Sequence, residues 1–124
     1  MIAYIDNKEF YELLCEYKRT NKRSTLEKIG RNFLKIAENI IKMPNFINYS
    51  PDRKNDMISD ATFYMTKYIN TYDLERKNPF AYFSQVAINA FTQNINKHNR
   101  AKEFFVPLTY IENMTKKENS DLYD

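Results

Sequence analysis

Two groups of side chains in this chain have the types and spacing to do chemistry. Asp52, Asp56 and Asp60 recur at i, i+4 and i+8, which sets three carboxylates along one ridge of a helix. Such a ridge could hold a divalent cation or dock a basic partner helix, or it could simply face water with Asp52 well placed near a helix start. A metal needs a second, facing set of oxygen donors, and no acid occurs between Pro79 and Lys102. The second group is Arg76-Lys77-Asn78-Pro79-Phe80-Ala81-Tyr82-Phe83, with two cations and three rings in eight residues. Single-stranded nucleic acid is held by that combination, cations for the phosphates and flat rings on which unpaired bases stack. Side-chain amides follow at Gln85, Asn89 and Gln93, a residue type that can read base edges. Then come Lys97, His98, Arg100 and Lys102 with no acid among them. The competing assignment makes Phe80 and Phe83 core and the amides ordinary surface.

Composition narrows the choice. His98 is the only histidine and Cys15 the only cysteine. Histidine-based zinc sites, thiolate clusters, an internal disulfide and most Ser–His or Cys–His pairs are thereby excluded. The chain is expected not to be an enzyme and to need no cofactor or metal. Cys15 reads as packing. The net charge of +3 is uneven: residues 112–124 hold two lysines and four acids, leaving 17 bases and 12 acids in residues 1–111. A basic body with an acidic tail suits a polyanionic partner. No apolar run approaches the ~20 residues of a membrane span, and no secretory leader opens the chain, so no membrane association is expected.

The elements that must position these groups are helices. The 124 residues suffice for one small domain, and one glycine with four prolines leaves no Asn-Gly or Pro-Gly turn to build sheets with. The expected fold is all-α, a compact bundle of about four helices with an extended, flexible C-terminal tail. Phe10, Leu13, Leu14 and Tyr17 mark a first helix from about Asn7 to Arg19, capped by Asp6 or Asn7. Ser24-Thr-Leu-Glu27 has the spacing of a capping box, and Leu26, Ile29, Phe33, Ile36, Ile40 and Ile41 follow it up to the break imposed by Pro44. Ser50-Pro51 opens a third helix whose buried side is expected to be Met57, Ala61, Tyr64, Met65, Tyr68 and Tyr72. Asn78-Pro79 opens a fourth, with Phe80, Phe83, Ala87, Ala90, Phe91 and Ile95 as core and Tyr82, Gln85, Asn89, Gln93 and Asn96 opposite. The expected division is a folded domain over residues 1–103 and a linker and tail over 104–124.

The third and fourth segments carry a resemblance. Asp56-Met-Ile-Ser-Asp-Ala-Thr-Phe-Tyr-Met-Thr-Lys-Tyr-Ile-Asn-Thr-Tyr-Asp73 resembles, without a gap, the sigma-70 superfamily helix that reads roughly D-L-x-Q-E-x-x-x-x-L-x-x-A-x-x-x-F-D. Pro79-Phe-Ala-Tyr-Phe-Ser-Gln-Val-Ala-Ile-Asn-Ala-Phe91 resembles the F-S-T-Y-A-x-W-W-I-R-x-A helix that follows it. Within that superfamily the chain is most similar to the late-transcription sigma factors of T-even-type bacteriophages. The shared features are the Asn7-Lys8-Glu9-Phe10 opening, the Asn78-Pro79-x-Ala81-Tyr82 helix start and Asn89-Ala90-Phe91. The likeness spans about Asn7 to Lys102.

The resemblance implies a region-2-type sigma domain in the cytoplasm of an infected bacterial cell. Asp56, Ser59, Asp60 and Phe63 would meet the clamp helices of the largest subunit of core RNA polymerase. Arg76, Lys77, Asn78, Phe80, Tyr82, Phe83, Gln85, Asn89, Gln93, Lys97 and Arg100 would take promoter DNA, on the non-template strand of a −10-like element. Phe83 falls where the family places the ring that stacks on a flipped base, so Phe83→Ala is expected to abolish promoter opening and spare polymerase binding. Val86-Ala87 stands where primary sigma factors have Trp-Trp, and the chain is too short for a −35-reading domain. Both departures imply weak unaided opening and help from a replication sliding clamp, gripped by Leu122 and Tyr123 of Ser120-Asp-Leu-Tyr-Asp124. The alternative is a helical adaptor that binds polymerase as coactivator or inhibitor and leaves DNA alone.

Overall fold

The computed structural model describes the backbone of residues 5–104 and the side chains of residues 5–100. Four helices follow one another: α1 (Asn7–Thr20), α2 (Arg23–Ile40), α3 (Pro51–Lys67) and α4 (Pro79–Phe104). The described residues contain no strand, so the fold is all-α. It divides after Phe91 into two compact units. Among the described residues, no helix is long and apolar enough to cross a membrane.

Local chemistry sets the helix ends. The Asp6 carboxylate accepts from the amides of Lys8 and Glu9 and starts α1. Asn21 ends it in the left-handed region at φ 54°, its amide donating to the Tyr17 carbonyl at 2.7 Å. Ser50 caps α3, with Pro51 at the first helical position. Asn78 caps α4 by accepting from the Ala81 amide at 3.1 Å.

The expected capping box is not formed. α2 begins at Arg23, two residues earlier than a Ser24 cap would start it; Lys22 is its cap residue, and no side chain caps it. Ser24 thus stands inside the first turn, too late to serve as cap. Thr25 is buried instead and donates its hydroxyl to the Glu16 carboxylate across the α1–α2 turn. That bond holds the Glu16 carboxyl below the usual carboxylate range, with Lys22, Arg19 and Lys28 adding to the effect.

The core of the first unit is aromatic. The rings of Phe10, Phe33 and Phe83 meet at centroid separations of 4.8 to 5.9 Å, and none of the three is exposed. Each burial contributes ~1.5–3 kcal/mol and each ring pair ~0.5–1.5 more. Leu14, Ile29, Ile36, Ala37, Met57, Ala61 and Met65 complete it, and Phe46 closes on Phe91 at 5.2 Å. Two tyrosines expected on the buried side of α3 are not there. Tyr64 is half-buried, and Tyr68 is 40% exposed because α3 stops at Lys67 and a turn carries the chain through Ile69 to the buried Tyr72. Phe80, placed in the core stripe by its spacing, is 42% exposed. Helical side chains tilt toward the N-terminus, so a ring in the first turn points past the helix start.

Candidate nucleic-acid interface

The site grows from a pinned loop. After Tyr72 the chain turns on Asp73, whose carboxylate accepts from the Glu75 amide at 2.9 Å and whose carbonyl accepts from the Arg76 amide at 2.9 Å. The Tyr72 hydroxyl donates to the Arg76 carbonyl from below. Burial pushes that phenol up to about 12, so it stays a neutral donor. Tyr11 of α1 donates to the Leu74 carbonyl at 2.7 Å, and Lys18 donates to the Tyr72 carbonyl at 2.6 Å. Asn7 donates to the Asn78 side chain at 3.0 Å and accepts from the Phe80 amide at 3.0 Å. The loop and the first turn of α4 are therefore held by α1.

Over this support lies a cleft of about 580 Å³, lined by Tyr68, Arg76, Lys77, Asn78, Ala81, Tyr82, Gln85, Val86 and Asn89. Six of these, Arg76, Lys77, Asn78, Tyr82, Gln85 and Asn89, are residues the sequence nominates for DNA. The Arg76 guanidinium stands 5.8 Å from the Tyr82 ring centre, within cation–π range. Gln85 donates to Asn89 at 2.9 Å, one helical turn on. The Tyr82 hydroxyl lies 3.5 Å from the Thr71 hydroxyl. Two cations, two tyrosine rings and three amides thus open on one space. Chemically, that set can neutralise phosphate, stack planar rings and offer paired donors and acceptors to a base edge.

Phe83 does not belong to it. The ring is 0% exposed, wedged among Phe10, Phe33, Tyr72 and Tyr82, and cannot stack on a base without opening the core. Its assignment as the stacking ring is corrected: the half-buried Tyr82 is the ring that lines the cleft. Tyr68, which sequence periodicity assigned to the core, joins it there. Only the position where α3 ends reveals Tyr68, because continued helical spacing would carry it onto the Met57–Ala61–Met65 side. Phe80 is exposed but outside the lining residues. Gln93, Lys97 and Arg100 are exposed on the part of α4 that belongs to the second unit.

On α3, Asp56, Ser59, Asp60 and Phe63 share a face by helical spacing, away from Met57, Ala61 and Met65. Phe63 is 63% exposed, its ring edge-on to Tyr64 at 5.3 Å. It lines a shallow depression of about 470 Å³ with Ser59, Thr62, Thr66 and Lys67. Among the described residues no three His, Cys, Asp or Glu side chains gather as metal ligands. Leu122 and Tyr123 lie outside the described residues, as do residues 105–124 altogether. No protein-family model matches the chain, and no curated protein matches it either.

Proposed function

We propose that this chain is a transcription initiation factor of the sigma-70 type, acting in the cytoplasm of a phage-infected bacterium. It binds core RNA polymerase through the α3 face of Asp56, Ser59, Asp60 and Phe63, where an exposed ring among carboxylates suits the basic clamp helices of the largest subunit. It takes the non-template strand of a −10-like element in the cleft between the 73–78 loop and α4. Arg76 and Lys77 neutralise phosphates, Tyr82 and Tyr68 stack extruded bases, and Gln85 and Asn89 read base edges. Unstacking costs a few kcal/mol per base, and stacking on the rings offsets it. Leu122 and Tyr123 add recruitment by a replication sliding clamp.

One observation carries the reading: cations, tyrosine rings and amides, scattered over residues 68 to 89, share one cleft. The test is a fluorescence-anisotropy titration of the protein with core polymerase against a TA-rich non-template oligonucleotide and a scrambled one. A preference for the first that Tyr82→Leu removes supports the assignment. Polymerase binding with no preference between the strands would leave the adaptor.

A further inference from the structure

The most cationic part of the chain lies away from this cleft. Residues 18–35 hold seven lysines and arginines and a single acid, Glu27, which makes +6 in a chain whose net charge is +3. Lys18 is committed to the Tyr72 carbonyl, and Arg23 lies 3.8 Å from Glu27. The other five, Arg19, Lys22, Lys28, Arg31 and Lys35, are all exposed. Lys28, Arg31 and Lys35 fall within about 60° of one another around α2, a continuous stripe opposite the face that buries Ile29, Phe33, Ile36 and Ala37. The left-handed turn at Asn21 brings Arg19 and Lys22 to the start of α2. The Thr25 hydroxyl does most to keep the neighbouring Glu16 ionised, and Lys22, Arg19 and Lys28 each add a smaller pull in the same direction.

We infer that the exposed α2 stripe of Lys28, Arg31 and Lys35, continued by Lys22 and Arg19 at the α1–α2 corner, is a second nucleic-acid surface that grips the sugar-phosphate backbone of a duplex. From Lys22 to Lys35 the rise is about 20 Å, the axial length of roughly six phosphates on one strand. The neighbouring exposed or half-buried polar side chains, Asn21, Ser24 and Asn32, are types that also bond phosphate oxygens. A protein partner would need buried aromatic or aliphatic anchors at the centre of the patch. The only large apolar side chain exposed on this stretch is Leu34, on the flank of the stripe. The surface reads charge rather than sequence, and it stands or falls independently of the cleft.

The experiment is anisotropy of the full chain on a mixed-sequence 30-bp duplex over a series of salt concentrations, beside the variant K28Q/R31Q/K35Q. Each phosphate contact contributes about 0.9 to the slope of log affinity against log salt. The triple variant is therefore expected to flatten the slope by about 2–3 while keeping the wild-type circular dichroism spectrum. An unchanged slope in a folded variant overturns the inference. So does equal binding of polyglutamate or of anionic phospholipid vesicles, which would assign the stripe to an acidic protein or to lipid. Should the cleft show no strand preference while the duplex slope still depends on these three side chains, the stripe stands and the sigma-type reading falls.

Discussion

Asn7, the first residue of α1, donates its side-chain amide to Oδ1 of Asn78, the residue that caps α4, across 71 positions of sequence. The same side chain accepts from the Phe80 amide. Pro79 brings no N–H, so this helix start leaves three amides without helical partners, and two of them, those of Phe80 and Ala81, are met by Asn7 and Asn78. Asn7→Ala is expected to cost about 1 kcal/mol, read as a lower midpoint in urea unfolding. It should also weaken oligonucleotide binding, since the turn it steadies carries Lys77 to Tyr82. An unchanged midpoint would show that solvent replaces Asn7 without loss.

Phe83→Ala removes the central ring of the core and is expected to destabilise by about 3–5 kcal/mol. That is a large share of the total stability of a domain this size. Loss of promoter opening in this variant therefore reports a damaged fold, contrary to the stacking role that family resemblance assigns to Phe83. Thermal unfolding checks it: a variant as stable as wild type would contradict the packing described.

Tyr82→Leu keeps bulk over Phe83 but removes the face available to a base. Binding of a single-stranded −10-like oligonucleotide is expected to fall about 5- to 150-fold, the range for losing one stacked base. Arg76→Gln should weaken binding of every sequence alike and flatten its salt dependence by about one contact. If Tyr82→Leu binds as wild type does, the cleft is not where bases sit.

Tyr72 makes a prediction in pH. Burial raises its phenol from the ordinary value near 10 to about 12, so the folded chain favours the neutral form. The stability from this source is intact below pH 10 and is lost as pH rises toward 12, roughly 2–3 kcal/mol in all. Tyr72→Phe should remove that alkaline dependence, and absorbance at the tyrosinate band should show one tyrosine fewer ionising late. Identical pH profiles for the two proteins would place the shift elsewhere.

Gly30 lies inside α2, and a methyl group on its Cα would meet nothing within 4 Å. Gly30→Ala should raise stability by about 0.4–1 kcal/mol, with a higher unfolding midpoint as the readout.

The sequence announced its helices through their caps and their apolar spacing. Asp6, Ser50 and Asn78 each bond as a cap residue should, and Phe10, Ile29, Phe33, Met57 and Phe91 lie inside where periodicity puts them. What escaped was whatever a neighbouring element decides. The Ser24–Glu27 signature lost to Thr25, because the Glu16 carboxylate across the turn gives that hydroxyl a buried partner. Tyr68 changed sides because α3 stops before it, and Phe80 changed sides because it sits in a first turn. The cations, amides and Tyr82 of the cleft were legible as a cluster. Which aromatic ring opens outward depends on packing that no local pattern records.

On the function proposed for the cleft, the T-shaped contact of Tyr82 on Phe83, 5.0 Å between centroids at 86°, couples architecture to recognition. The outward ring is braced from behind by the hydrophobic interior, so its orientation is decided during folding and a guest molecule need not spend entropy to arrange it. Variation that alters specificity is then channelled to the rim, at Gln85 and Asn89, where exchange leaves the interior untouched. Drift at the ring itself is policed twice, once by the guest and once by the fold.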